Sequence, residues 1–487
     1  MPSPRRRLRV DPSRGATLRA GFARIRQEHD LPLGFPAPVA AEADRVSGRA
    51  TQDDRRDLRD VPFLTLDPPG STDLDQAMHL SRRGSGYLVR YAIADVAHFV
   101  VPGGPIDREA RTRASTVYCP DTRVPLHPEL LSEGVASLLV DQVRPAIVWS
   151  IALDPEGRTT DVEVERAVVR SRAQLTYPAT QRALDEGRAG EVIDLLAEIG
   201  TLRARLEESR GGVSLARPEQ EVVPVDDHWE LSLASALPIE EHNAQISLLT
   251  GMAGAALMLE LGTGLLRTMP AAQARDLARL RRQGLALGVD WPQDEPYGAV
   301  LRRLDRSLPS TAAFLAAATT LFRGAAWTAF DGTRPDDPVH GAVGAPYAHV
   351  TAPLRRLVDR YGLEIALAAH AGRPVPEWVL AALPDVGGEM ATGAARASSV
   401  DRACTDLVEA TVLAPHIGED FDAVVLDDRT VQVSGPAVVG RLTDGSGLAG
   451  QRIRVRLIEA DPSAGRVRFS PVDAAAPGSG PSVPQAP

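Results

Sequence analysis

The sequence predicts an α+β fold in which strand-rich and helix-rich segments are kept apart along the chain and a small barrel closes the C-terminal end. Three observations carry this. From Phe63 to Val169, apolar or alternating runs are bounded by Pro, Gly and Asp; from Thr180 to Arg210, and again from Ile239 to about Ala414, helical patterns dominate; residues 417–470 return to short strand-like runs. The 487 residues exceed one ordinary core, so several domains are expected.

Residues 1–60 read as a short N-terminal unit of helical and irregular character. Arg5, Arg6, Arg7, Arg9, Arg14, Arg19, Arg24 and Arg26 make it basic. Ala16–Glu28 predicts a short helix, which Leu31-Pro-Leu-Gly-Phe-Pro-Ala-Pro ends. Such a start can be a steering arm for a nucleic acid, or it can be a solvated basic tail leading into a helix; the residues leave both open. Residues 61–415 form the main domain. Its strand runs are Phe63-Leu-Thr-Leu, Tyr87-Leu-Val-Arg-Tyr-Ala-Ile-Ala and Ala146-Ile-Val-Trp-Ser-Ile-Ala-Leu. Its helical patterns include Ala272–Leu287 and Thr311–Ala329. The most lipid-like stretch is Ile246–Leu266. Glu260 interrupts it, and Glu240, Glu241, Asn243 and Gln245 precede it, so a buried core helix is expected rather than a membrane span. Residues 416–472 hold five short strand runs with turn signals between them, which suggests a small OB-type barrel. Residues 473–487 have no core-forming content and are expected to be disordered.

Hydrophobic residues make up 44% and charged residues 24%, the balance of a soluble globular protein. All 54 basic residues are arginine, which fits a GC-rich genome and leaves guanidinium forks and backbone N–H groups for any phosphate contact. The net charge of −10 argues mildly against a general nucleic-acid binder, but a basic channel inside an acidic surface is compatible with it. Cys119 and Cys404 are far apart and make no C-x-x-C pair, so neither a zinc cluster nor a disulfide framework is expected. A reducing cytoplasm fits. The start of the chain has positive charge but no apolar run behind it, so no secretory signal is expected.

The most informative segment is Thr65-Leu-Asp-Pro-Pro-Gly-Ser-Thr-Asp-Leu-Asp-Gln. A strand ends at Asp67, a Pro-Pro-Gly turn follows, and Asp73 and Asp75 then fall on one side if the backbone is extended. Three carboxylates in one place repel each other unless a hard divalent cation such as Mg²⁺ or Mn²⁺ sits among them, where it can activate water and neutralise a phosphate. A polar turn with aspartate caps is the other reading. The spacing does not fit an EF-hand loop.

This segment resembles the catalytic loop of the RNB family, the RNase II and RNase R exoribonucleases. Further blocks follow in that family's order: Ala92-Ile-Ala-Asp-Val-Ala, Arg113-Ala-Ser-Thr-Val-Tyr-Cys-Pro, Val124-Pro-Leu-His-Pro-Glu-Leu-Leu-Ser with Ala136-Ser-Leu, Ile239-Glu-Glu-His-Asn, His340-Gly, and Tyr347-Ala-His-Val-Thr-Ala-Pro-Leu-Arg-Arg. The resemblance covers about residues 60–410. It implies an RNB catalytic domain of mixed strands and helices before the barrel. It implies that Asp67, Asp73 and Asp75 are three of four metal-site positions, with Asp75 the most important for cleavage. Tyr118 matches the aromatic residue that stacks on the 3′-terminal base, and Arg355 the arginine near the cleaved bond. Tyr177 and Glu241 match groups linked to ribose recognition. Arg356, second of the arginine pair, and Asp401, in Val400-Asp401-Arg402 where the family has A-E-R, are expected among the RNA-binding residues.

The chain departs from the family at Gln76, where Asp is usual, at Ala352 and at Leu357. Gln76 is expected as an amide ligand without charge. About 60 N-terminal residues cannot hold the family's two cold-shock-like barrels, and the C-terminal barrel is abbreviated. The resemblance thus implies a processive 3′→5′ exoribonuclease that uses Mg²⁺ (or Mn²⁺), takes single-stranded RNA, works as a cytoplasmic monomer without a membrane, and releases nucleoside 5′-monophosphates. The rivals are a catalytically weak RNA binder of this fold and another Mg²⁺ phosphohydrolase acting on small substrates.

Overall fold

The computed structural model describes residues 8–9, 15–49, 54–213, 219–225, 228–234, 236–305, 308–433, 438–443 and 448–472. Arg5, Arg6, Arg7 and Arg14 of the basic start, and the C-terminal tail, lie outside the described residues. The chain passes through β1 (Leu8–Arg9), α1 (Gly15–Glu28), α2 (Ala37–Ser47), β2 (Arg56–Asp57), β3 (Phe63–Asp67), β4 (Gln76–Arg83), β5 (Gly86–Ala94), α3 (Pro105–Arg113), β6 (Val117–Tyr118), β7 (Arg123–Val124), β8 (Val143–Leu153) and β9 (Thr159–Thr176). The helical half follows: α4 (Tyr177–Asp185), α5 (Glu191–Ser209), the hairpin β10 (Glu219–Val225) and β11 (His228–Ala234), α6 (Pro238–Leu261), β12 (Thr263–Thr268), α7 (Ala274–Ala286), α8 (Tyr297–Arg303), α9 (Pro309–Ala318), β13 (Ala326–Asp331), β14 (Val339–His340), β15 (Ala345–Pro346), α10 (Leu357–Ala371) and α11 (Glu377–Leu413).

The central sheet has the order β2-β9-β3-β4-β5-β8. β9 is 18 residues long. Its first part pairs antiparallel with β8 and its last part runs parallel to β3, so one strand joins two distant members of the sheet. The period-two alternation of the strands sorts side chains by size. Tyr87, Val89, Tyr91 and Ile93 with Trp149 and Ile151 form one face, which receives residues of α5, α6, α10 and α11. Ala92, Ala94, Ala146, Val148 and Ala167 form the other, which receives Val39, Ala43 and Val46 of α2 and Ile106 of α3. Each large aliphatic side chain buried in these layers contributes about 1.5–3 kcal/mol.

Two helical expectations are corrected. The run Ile246–Leu266 is not one helix. α6 ends at Leu261, Gly262 takes the left-handed conformation with φ 82°, and β12 begins. Likewise the pattern Thr311–Ala329 breaks after Ala318, and Ala326–Asp331 becomes β13, paired antiparallel with β12. Both runs are mostly apolar, so periodicity alone did not separate buried helix from buried strand. α6 is long and apolar enough to cross a membrane, yet Ile246, Leu249, Ala253 and Met258 are buried in the sheet-facing core. It packs as a core helix.

The N-terminal helix is built into the body. Leu18, Phe22 and Ile25 of α1 share one cluster with Val400, Cys404 and Leu407 of α11 and with barrel residues such as Val455 and Phe469. Arg26 is buried and pairs with Asp121, and Arg24 donates to the Ser463 carbonyl, so these two arginines of the basic start are engaged by protein. The barrel consists of β16 (Asp420–Asp427), β17 (Thr430–Val433), β18 (Val439–Leu442), β19 (Arg452–Asp461) and β20 (Arg466–Pro471), closed in the order β16-β17-β18-β20-β19. Val455, Leu457 and Phe469 point inward and Arg452, Arg454, Arg456, Arg466 and Arg468 outward, as the strand period requires. Of these, Arg456 pairs with Asp420, while Arg466 and Arg468 pair with Glu459.

Candidate active site

Two strand ends and one helix start converge here. Asp67 closes β3 and Asp75 immediately precedes β4. Between them Leu74 is fully buried and its N–H donates to Ser137 Oγ at 2.9 Å, which leaves Asp73 and Asp75 on the opposite side of the extended backbone. The block 347–356 comes from the other side. Gly251 of α6 permits its approach: a Cβ there would stand 2.1 Å from the Tyr347 ring, and the Ala348 N–H donates to the Gly251 carbonyl at 3.0 Å. Asp359, one turn into α10, accepts the N–H groups of Thr351 and Ala352 at 2.8 and 2.7 Å and so fixes the loop that carries Arg355.

Asp75 joins the two sides. Its Oδ1 accepts the Leu354 N–H at 2.7 Å and its Oδ2 accepts Arg355 Nε at 3.2 Å. Burial pushes its carboxyl up to about 7, against the pull of Arg355. Asp67 is pushed up to about 6, first by burial, with the Asp73 charge adding and Arg355 opposing. Its Oδ2 is buried without a hydrogen-bond partner. Asp73 accepts Tyr118 Oη at 3.2 Å and Arg123 Nη1 at 3.4 Å. The Tyr118 ring stays exposed at 53%, and the Arg355 side chain at 46%. The β6 strand reaches this place through Ala114, which caps α3 at φ 61°, a strained conformation for a residue with a Cβ.

With two raised carboxyls, the fold without a cation binds more protons than the unfolded chain between about pH 4 and pH 7, so its stability falls as pH rises through that window. Chelator-treated protein is expected to melt several degrees lower at about pH 8 than at about pH 5. Asp75→Asn should shrink that slope. Equal slopes in the two proteins would refute the assignment.

Gln76 does other work than the sequence suggests. Its Nε2 donates to the Thr351 carbonyl at 2.6 Å and its Oε1 accepts Tyr91 Oη at 2.6 Å. A carbonyl cannot donate, so the amide orientation is forced. The side chain therefore ties β4 and β5 to the Arg355 loop instead of turning its oxygen freely to a cation. Gln76→Glu removes the donor and sets a carboxylate against a carbonyl. It is expected to cost about 1–3 kcal/mol of stability, read by urea titration. A change within error would show that the bond contributes nothing.

Other expected residues are placed unevenly. Tyr177 opens α4; its hydroxyl accepts Asn243 Nδ2 at 2.9 Å, and the charges that act on it include Asp67 and Arg355, which puts it at the site's edge. Glu241 is exposed on α6, and the residue of that helix that meets Tyr177 is Asn243. Arg356 commits Nε and one amino group to Asp359. Asp401 is exposed on α11, with no described contact to Asp67, Asp73 or Asp75. Arg123 was missed, although it directly precedes the Val124 block; it holds Asp73, Thr72 and Glu133 together. Tyr91 and Asp359 were missed because nothing local marks a strand tyrosine or a helical aspartate as a tie between distant segments.

The family model for the RNB domain matches residues 55–365, and that for the RNase II-type exonuclease C-terminal S1 domain matches residues 419–472. The chain belongs to the RNB family. This RNB chain is 32% identical to ribonuclease R of Escherichia coli (strain K12) over 207 residues, which covers 40% of this chain and 26% of that protein. It spans between about a fifth and three-fifths of the length of curated relatives it matches. Its fold superposes on the apo form of Mycoplasma genitalium RNase R with a TM-score of 0.83, at 19% identity, covering 93% of this chain and 78% of that one. It also superposes on yeast Ssd1, described as a pseudonuclease, with a TM-score of 0.65 at 17% identity, covering 89% and 53%. The RNB fold and its S1 barrel therefore account for the architecture of the described chain.

Among the described residues no group of three or more His, Cys, Asp or Glu is gathered tightly enough to be a ready metal cage. The donors nevertheless fit a hard cation. Asp67 presents an orphaned buried oxygen, Asp75 is an anion disfavoured by burial, and Asp73 lies beside them. A cation would relieve the buried charge of Asp67 and Asp75, with Asp73 as a further oxygen donor.

Proposed function

We propose that the chain is a 3′→5′ hydrolytic exoribonuclease acting on single-stranded RNA and releasing nucleoside 5′-monophosphates. One observation carries it: the buried Asp75 is bonded to the exposed Arg355, which also acts on Asp67, and the neighbouring Asp73 accepts the hydroxyl of the exposed Tyr118. These residues support the reading: carboxylates that can hold a cation, a guanidinium that can meet a phosphate and an exposed ring on which a base can stack.

Mg²⁺ or Mn²⁺ held by Asp67, Asp73 and Asp75 would supply an activated water and charge neutralisation. The chain's residues do the rest. Tyr118 offers its ring to the terminal base. Arg355 places its guanidinium against the phosphate and stabilises charge as it develops. Tyr177 and Asn243 present hydroxyl and amide groups with which a ribose 2′-OH can bond, the physical basis for preferring RNA over DNA. Gln76 and Asp359 hold the Arg355 loop in register with Asp75. Arg452 and Arg454, outward on the barrel, add positive charge along which a strand can approach. A monomer is sufficient, since every group named belongs to one chain.

The test is a time course on 5′-labelled single-stranded RNA with Mg²⁺, beside DNA of the same sequence. A ladder shortening from the 3′ end on RNA alone supports the reading. Intact RNA under both Mg²⁺ and Mn²⁺, with tight binding retained, would instead identify a non-cleaving RNA-end binder, the reading that Gln76 favours.

A further inference from the structure

The chain has two cysteines, and the fold brings them together. Cys404 sits on α11 and is 2% exposed. Cys119 follows Tyr118 at the end of β6 and packs against the cluster to which Cys404 belongs. α11 packs on β6, and each thiol lies close enough to the other to be the largest influence on its titration. Backbone alternation explains the direction: Val117 is buried in that same cluster and Cys119 packs against it, while Tyr118 between them is exposed with its hydroxyl on Asp73.

A third group completes the cluster. The Arg26 guanidinium makes a two-pronged pair with Asp121 at 2.5 and 3.1 Å and lies close enough to the Cys119 sulfur to favour its thiolate. The Cys119 N–H donates to the Thr122 carbonyl at 2.8 Å, so the turn that holds the sulfur is itself fixed. The Cys404 thiol, then Arg26, hold the Cys119 thiol below its ordinary range, while Cys404 is held above its own. Cys119 is half-buried and open to a small oxidant; Cys404 is shielded behind it. Attacking thiolate outside, resolving thiol inside, is the arrangement of a dithiol redox site.

We propose that Cys119 and Cys404 form a peroxide-sensitive dithiol whose oxidation locks the Tyr118 strand to α11 and lowers activity at the RNA-end site. The cysteine linkage stands on its own; its effect on cleavage rests on the proposed nuclease reading. In the first step the Cys119 thiolate attacks a peroxide oxygen. An S–O bond forms, the O–O bond breaks, and the departing hydroxide takes a proton to become water. The Cys404 sulfur then attacks the sulfenic acid. An S–S bond forms, the S–O bond breaks, and the leaving hydroxide takes the Cys404 proton as a second water. Two thiols are oxidised and one hydrogen peroxide is reduced. Covalent closure fixes Cys119 to α11 and pulls on the residue beside it, Tyr118.

The experiment uses the full chain, titrated with hydrogen peroxide, alkylated and digested without reductant. The expected result is one linked pair of peptides carrying Cys119 and Cys404, lighter by two hydrogens than the separate thiols and released by dithiothreitol. RNA cleavage should fall by about tenfold, as displacement of a positioned group does, and return on reduction. Cys119→Ser and Cys404→Ala should each keep their activity under the same peroxide. Two variants are used because Cys404 is buried. Cysteines that both remain alkylatable after peroxide would overturn the proposal. So would equal peroxide sensitivity in the wild type and the variants. The mass readout holds whether or not the chain cleaves RNA, so failure of the linkage and failure of the nuclease reading are told apart.

Discussion

Replacing Asp75 by Asn is expected to slow RNA cleavage by about a thousandfold or more while RNA binding stays within about threefold. The substitution is nearly isosteric. The amide oxygen still accepts the Leu354 N–H, so the loop keeps its place. What disappears is charge. Arg355 loses its carboxylate partner, and the site loses the anion whose burial is hardest to sustain without a cation. Removal of a buried charge stabilises the fold while the new amide N–H₂ opposes the Arg355 N–H, so the variant should stay within about 1–2 kcal/mol of the parent. The check pairs single-turnover degradation of labelled RNA with a filter-binding isotherm. Cleavage within tenfold of the parent would remove Asp75 from the chemistry.

Arg355→Ala is expected to cost about two to three orders of magnitude, mostly in kcat, because a guanidinium that meets developing charge acts in the transition state more than in the ground state. It has a second consequence. Arg355 is the largest influence opposing the protonation of Asp75, so its loss should move the acidic limb of the rate profile to higher pH. Arg355→Lys restores charge but not the fork, and should recover only part of the rate. A variant with raised KM, unchanged kcat and an unshifted profile would mean that Arg355 binds substrate uniformly and does not act on the reacting phosphate.

The two substitutions differ in what they say about Gln76. If Asp75→Asn is silent because the parent itself cleaves nothing, then the amide at 76, bonded to Thr351 and Tyr91, belongs to a fold kept for binding. If the parent cleaves, three carboxylates suffice and Gln76 serves as a tie between β4 and the Arg355 loop.

Much was legible in the residues. The five barrel strands were readable because each is a short alternating run between turn residues, and the structure closes them into a barrel. Asp67, Asp73 and Asp75 were readable because one short segment carries them all. Asp401 and Glu241 were not placed in this way: each rests on a motif match alone, and helix geometry then sets where the side chain points.

By itself the sequence determined the α+β order of segments, the C-terminal barrel and the aspartate-rich turn, since each is written in local spacing and turn chemistry. Only the tertiary structure decided where the buried apolar runs change from helix to strand, that Gln76 bridges two segments, that Arg355 meets Asp75, and that Cys119 lies against Cys404. Each depends on packing between residues far apart in the chain. Such contacts are set by which faces bury together, and local pattern carries no record of the partner.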